Sequence, residues 1–238
     1  ADPPPGNRAL VAPIWQSVKF DFATIEETER LFRGQQDGYF YSRSGNPTTR
    51  ELERLVAELQ GREHCIVTAS GIAAVSTTLL SLLGQGDHVL CFVETYGPTR
   101  HLIRRVLARY GIAHTMLSIE DAAGIERTLA ERPTRLVWFE TPTNPALKIV
   151  DVAWLTALAH RHGALTVLDN TLAGLHHHGG FPVDVYVHSL TKYAAGHGDV
   201  MAGAIVGSRE RLKPMRDDAV HLGPVLDPHA AFLVMRGL

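Results

Sequence analysis

The chain has 238 residues, 45 % of them apolar and 20 % charged, an ordinary globular composition with room for one large α/β domain. Its 23 basic and 25 acidic residues leave a formal net charge of −2 and form no basic stripe, so nucleic-acid binding is not indicated. No run of about 18 apolar residues exists, which argues against a membrane span, and the N-terminal "ADPPPGNRAL" has no secretory core. Cys65 and Cys91 both sit in apolar runs and read as buried thiols of a reducing compartment, so a cytoplasmic enzyme or binding protein is the expectation.

In chain order, residues 1–24 read as an extended arm: "PPP" blocks helix, and "VAPIWQSVKF" is apolar but irregular. A short helix is predicted over Ile25 to Phe32. A second starts at Pro47, keeps Leu52, Leu55, Val56 and Leu59 at helical spacing, and stops before Gly61. From there strands and helices alternate. "HCIVTAS", "DHVLCFV", "IAHTML", "RLVWFE", "ALTVLDN", "VDVYVHS" and "AGAIVG" read as strands. "GIAAVSTTLLSLL", "PTRHLIRRVLARY", "EDAAGIERTLAE" and "VAWLTALAHRH" read as helices. That alternation predicts an α/β fold with a mostly parallel sheet and helices on both faces.

In such sheets function gathers at the carboxyl ends of the strands. There the chain places Gly71, Tyr96, Asn144, Asp169, Thr171 and Lys192. The helix start "SGIAA" can take an anion on the N–H groups of Gly71 and Ile72, with Ser189 and Thr191 adding hydroxyls; Ser70 alone also suits a plain N-cap. Asp169 ends an apolar strand, where a carboxylate costs desolvation unless a cationic or hydrogen-bonding group meets it. Tyr96 could stack on a flat ring. Lys192 could bond an aldehyde as a Schiff base, although a lone lysine is commonly a surface residue. An aldehyde, a phosphate and a pyridinium nitrogen on one small molecule describe pyridoxal 5′-phosphate. The pair "GQGD" (84–87) precedes a strand and fails the dinucleotide fingerprint. "HHHGG" (176–180), with His160, His162, His188 and His197, reads as a His-rich surface loop and packing residues; no metal is expected.

The stretches "YSRSGNPTTRELE" (41–53), "ASGIAA" (69–74), "YGPT" (96–99), "ETPTNP" (140–145), "LDNT" (168–171), "HSLTKYAAGHGDV" (188–200) and terminal "RGL" together resemble the Cys/Met-metabolism (transsulfuration) family of fold-type I PLP-dependent enzymes, over nearly the whole chain. The resemblance implies that Lys192 carries the cofactor and then shuttles protons. Asp169 would pair with the pyridine nitrogen, with Thr171 near it. Tyr96 would stack on the ring and help activate the substrate, Gly71, Ile72, Ser189 and Thr191 would hold the phosphate, and Asn144 would face the ring hydroxyl. Tyr41 and Arg43 would reach the phosphate of a neighbouring subunit's cofactor, making a homodimer or homotetramer with shared sites.

The implied activity is elimination or replacement of the γ-substituent of a methionine- or homoserine-type sulfur amino acid. A cystathionine β-lyase-like β-elimination, a PLP-binding fragment without turnover, and a subunit completing a partner's site stay open. Phe40 stands where cystathionine-handling members tend to carry an acidic residue, and Pro98 where methionine γ-lyases have Cys; Phe40 tilts the reading away from cystathionine. The expected organisation is an arm and helix start over 1–46 facing a dimer partner, a PLP-binding domain over 47–225, and over 226–238 the start of a helix leading to a C-terminal domain that this chain lacks. In the family that domain supplies the arginine for the substrate α-carboxylate; Arg236 does not match it.

Overall fold

The computed structural model describes residues 9–238; the "PPP" part of the N-terminal arm lies outside them. Helix α1 (Ile25–Phe32) is capped by the Thr24 hydroxyl on the Glu27 N–H. Helix α2 (Pro47–Leu59) starts where Asn46 accepts the Thr48 N–H at 2.9 Å and stops before Gly61, whose φ of +66° suits a residue without a side chain. Then come β1 (His64–Thr68), α3 (Gly71–Leu82), β2 (His88–Phe92), the short α4 (Gly97–His101), β3 (Ala113–Leu117), α5 (Ala122–Glu131), β4 (Leu136–Glu140), α6 (Val152–Arg161), β5 (Leu165–Asp169), β6 (Val185–Ser189), β7 (Gly203–Gly207), α7 (Arg209–Leu222) and α8 (Pro228–Gly237).

The strands form one sheet in the order β1-β7-β6-β5-β4-β2-β3. Strands β2 to β6 pair in parallel, as the alternation with helices requires. Strand β7 runs antiparallel to both neighbours, so the sheet is mostly parallel, as expected. The cause is local: residues 190–202 contain no crossover helix, so the chain returns beside β6 in the opposite sense.

Helices cover both faces. One core layer takes Leu52 and Val56 of α2, Leu129 of α5, Leu155 of α6 and Val234 of α8. The other takes Val75 and Leu79 of α3, Ile103 and Leu107 of the segment after α4, and Leu212 of α7. Each such fully buried side chain contributes about 1.5–3 kcal/mol relative to an exposed one. Helix α8 therefore belongs to the same core as α2.

Two helical expectations needed correction. The helix read over 98–110 is α4 followed by a π-helical turn (Leu102–Val106) and a 3₁₀ turn (Leu107–Tyr110). Helix α7 is additional to the expected set; it carries an internal Pro214 and many charges, which disguise its period. The arm docks on its own chain: Asn46 donates to the Trp15 carbonyl at 2.8 Å, Thr48 to the Pro13 carbonyl at 3.0 Å, and Lys19 and Tyr41 bridge as antiparallel strand residues.

Candidate active site

A cleft of about 670 Å³ opens beyond the carboxyl ends of β4, β5 and β6. Its walls carry Gly71, Ile72, Tyr96, Asn144, Asp169, Thr171, Ser189, Thr191 and Lys192, brought together from five separate stretches of sequence.

Helix α3 points its N-terminus into the cleft. The Ser70 hydroxyl accepts the Ala73 N–H at 3.1 Å, and no group among the described residues accepts the N–H of Gly71 or Ile72. Two free donors and the positive end of a helix make an anion seat. A Cβ on Gly71 would come within 2.7 Å of Ser189 Cβ, so only glycine lets the helix start approach β6 this closely. The Ser189 hydroxyl has no partner among the described residues, whereas the Thr191 hydroxyl is engaged by the Ala202 carbonyl at 3.2 Å and the Ala202 N–H at 2.9 Å. Of the two expected hydroxyl donors, Ser189 is the free one, and Thr191 ties the loop to β7.

Asp169 ends β5 and is buried at the floor of the cleft. Its Oδ1 accepts the Thr171 hydroxyl at 2.6 Å and the Thr171 N–H at 3.2 Å; no donor among the described residues meets Oδ2. Burial pushes this carboxyl above its ordinary value, and the two Thr171 bonds offset only part of the shift. The Thr171 hydroxyl also accepts the Ser189 N–H at 2.9 Å, fastening β5 to β6 beside the helix start. Lys192 lies in the turn after β6, exposed, with its backbone fixed by the Ser189 carbonyl at 3.2 Å and no ion pair on its amine among the described residues.

Sequence reading passed over Glu140. It ends β4 in register with Asp169 on β5, is 4 % exposed, and lines the same cleft. Its carboxylate accepts the Tyr96 N–H on one oxygen and the Asn144 N–H on the other, each at 2.9 Å. Burial first and the Asp169 carboxylate second raise its pKa to about 7. The signal was available, because "RLVWFE" ends an apolar strand on a carboxylate just as "LTVLD" does. Tyr193 and Met201, both largely exposed, also line the cleft and carried no sequence signal.

Tyr41 and Arg43 stand outside this cleft. The Arg43 guanidinium lies over the Tyr41 ring at 5.1 Å, and Arg43 borders a separate small hollow with Val67 and Val225. Phe40 packs edge-on against Phe32 at 5.0 Å. The histidines are engaged individually: His188 with Gln60 at 2.7 Å, His178 with Asn170 at 2.7 Å, His160 with Asp184 at 2.8 Å. Among the described residues no three His, Cys, Asp or Glu side chains converge as a metal group. Cys65 and Cys91 are free and buried, and burial pushes both thiols up, Cys91 to about 12. No helix among the described residues is long and apolar enough to cross a membrane.

The chain is 38 % identical to L-methionine gamma-lyase of Pseudomonas putida, a match covering 100 % of this chain and 60 % of that protein. Its fold superposes on cystathionine gamma synthase from Xanthomonas oryzae pv. oryzae, solved in complex with aminoacrylate and cysteine, with a TM-score of 0.88 and 33 % identity over 97 % of this chain and 58 % of that one. A putative O-acetylhomoserine (thiol)-lyase from Campylobacter jejuni, solved with N′-pyridoxyl-lysine-5′-monophosphate, gives a TM-score of 0.87 at 28 % identity over 97 % of this chain and 65 % of that one. The chain thus spans about 60 % of the length of the methionine gamma-lyase it matches. The family described as Cys/Met metabolism PLP-dependent enzyme matches residues 2–238, and the chain belongs to that family.

Proposed function

We propose that the protein uses pyridoxal 5′-phosphate in this cleft to eliminate or replace the γ-substituent of a methionine- or homoserine-type amino acid. One observation carries the reading. A single cleft joins a lysine amine, a buried carboxylate oxygen and two helix-start N–H groups that are all without partners among the described residues.

These residues fit the cofactor. The Gly71 and Ile72 N–H groups and the Ser189 hydroxyl would hold its phosphate, with Thr191 bracing the loop. Asp169 Oδ2 would take the pyridine N–H, and Thr171 keeps that carboxylate oriented. Tyr96 would lie against the ring, Asn144 would face its hydroxyl, and Lys192 Nζ would bond its aldehyde carbon. Bound there, the cofactor supplies an electron sink for the pair released at the substrate Cα. Released when the substrate amine takes its place on that carbon, Lys192 Nζ would take the Cα proton and carry it onward. Asp169 would keep the pyridine nitrogen protonated. Tyr96 offers its hydroxyl to the substrate amine or the leaving group.

Sulfur amino acids are the substrate class because similar proteins are named for methionine, cystathionine and acylated homoserine chemistry. Tyr41 and Arg43, outside their own cleft, would complete a neighbouring subunit's phosphate site in a homodimer or homotetramer. Phe40 would stand beside that shared site and disfavour the distal ammonium of cystathionine. Two free buried thiols and small-metabolite chemistry support a cytoplasmic location.

The test is a substrate panel on the full-length, cofactor-loaded protein: methionine, O-acylated homoserine with and without a thiol, and cystathionine. Release of 2-oxo acid or thioether product is expected, with cystathionine giving the lowest kcat/KM. Failure of all of them to react would refute the activity, and a preference for cystathionine would refute the role of Phe40.

A further inference from the structure

Glu140 is a buried acid for which the cofactor contacts above find no use. Its neighbour in register is another acid, Asp169. No lysine, arginine or histidine pairs with it among the described residues. Such a group costs free energy unless its hydrogen bonds serve something. Both of its oxygens are in use, and both donors are backbone N–H groups of cleft residues: Tyr96 in the loop after β2 and Asn144 in the loop after β4. These loops are remote in sequence, and a single carboxylate at the strand end holds both.

We propose that Glu140 is a positioning residue that sets the Tyr96 ring and the Asn144 amide relative to each other across the cleft. The proposal rests on reading the cleft as the cofactor site. A carboxylate is suited to the task because it presents two acceptors and no donor. An amide presents one acceptor and one NH₂ group, which would face an N–H with an N–H. Glu140→Gln therefore keeps one loop and releases the other. Glu140→Asp keeps two acceptors on a stem shorter by one methylene, and holds both loops at longer range.

The test has two readouts. The first needs no cofactor: hydrogen exchange of the Tyr96 and Asn144 amides. In Glu140→Gln one of the two should exchange about tenfold faster or more, while the β4 amides Leu136 to Phe139 keep wild-type protection. Glu140→Asp should fall between. The second is a double-mutant cycle on the dissociation constant for pyridoxal 5′-phosphate. Glu140→Gln should weaken binding about 10-fold to 100-fold. In a Tyr96→Ala background the same change should cost less, because the ring it places is gone.

Unchanged exchange of both amides in Glu140→Gln would overturn the proposal. So would full multiplication of the two effects on binding, which is what a merely structural acid gives. If Glu140→Gln does not fold, Glu140→Asp carries the test, and wild-type exchange at both amides overturns the proposal there too. A wild-type protein that takes up no cofactor overturns the cofactor reading and this role with it. Cofactor uptake unaffected by Glu140→Gln overturns this role alone.

Discussion

Asp169→Asn separates what the cleft does for stability from what it does for its ligand. In the wild type Asp169 and Glu140 lie in register, both buried, and no cation among the described residues pairs with either. An asparagine keeps an oxygen for the two Thr171 bonds and removes the charge. Glu140 measures the strain: its pKa rises from 4.5 to about 7, which is about 3 kcal/mol against ionisation, with burial the larger cause and Asp169 the second. Part of that belongs to Asp169, so removing the charge returns on the order of 1 kcal/mol when Glu140 is ionised. At about 2–4 °C per kcal/mol for a chain of this size, the cofactor-free variant should melt about 2–4 °C above wild type at pH 8.

The sign reverses for the cofactor. The rise in Tm on adding pyridoxal 5′-phosphate follows the logarithm of concentration over Kd. It should shrink in the variant, whose amide cannot hold the pyridine nitrogen protonated. The pH dependence follows from Glu140. A raised acid pKa means that the folded state holds an extra proton between about pH 4.5 and 7, so the stability cost is full above 7 and fades as pH falls. The gain from Asp169→Asn should therefore fade below about pH 6. The assay is thermal melting at pH 5.5 and 8 with and without cofactor. A variant less stable than wild type at pH 8, with an unchanged cofactor shift, would refute the reasoning.

Three further outcomes are expected. Gly71→Ala puts a Cβ 2.7 Å from Ser189 Cβ, so the helix start must back away; a loss of about 1–3 kcal/mol is expected, partly recovered by adding Ser189→Gly, and melting curves check both. His188 is buried and held neutral by burial, its pKa lowered to about 3, so its contribution is intact above about pH 6.5 and lost on acidification; urea titrations from pH 6.5 to 4 should show His188→Asn losing about 1.4 kcal/mol less per pH unit than wild type. Mixing Lys192→Ala with Arg43→Ala chains of the full-length protein should restore activity at roughly a quarter of all sites if the site is shared, and at none if Arg43 serves its own chain.

Much of this was legible in the sequence because period and punctuation agree. Strands ending in Asp169 and Ser189, and helices opening at Gly71 and Pro47, all follow from local chemistry. What escaped needed neighbours. Glu140 reads as the last letter of an apolar strand until the register beside Asp169 is known. Thr191 reads as a free hydroxyl until β7 returns antiparallel and engages it through Ala202. Helix α7 hides because Pro214 and its charges blur the apolar stripe, although Leu212 and Met215 are fully buried. The π-helical turn at Leu102–Val106 keeps a helical composition, so no residue announces it.

The central claim is that Lys192 is the residue that bonds the cofactor. The direct measurement is borohydride reduction of the cofactor-loaded protein followed by peptide mass mapping. A reduced pyridoxyl adduct on the peptide containing Lys192, absent from Lys192→Ala, is the predicted result. An adduct on Lys19, Lys148 or Lys213 in its place would contradict the account.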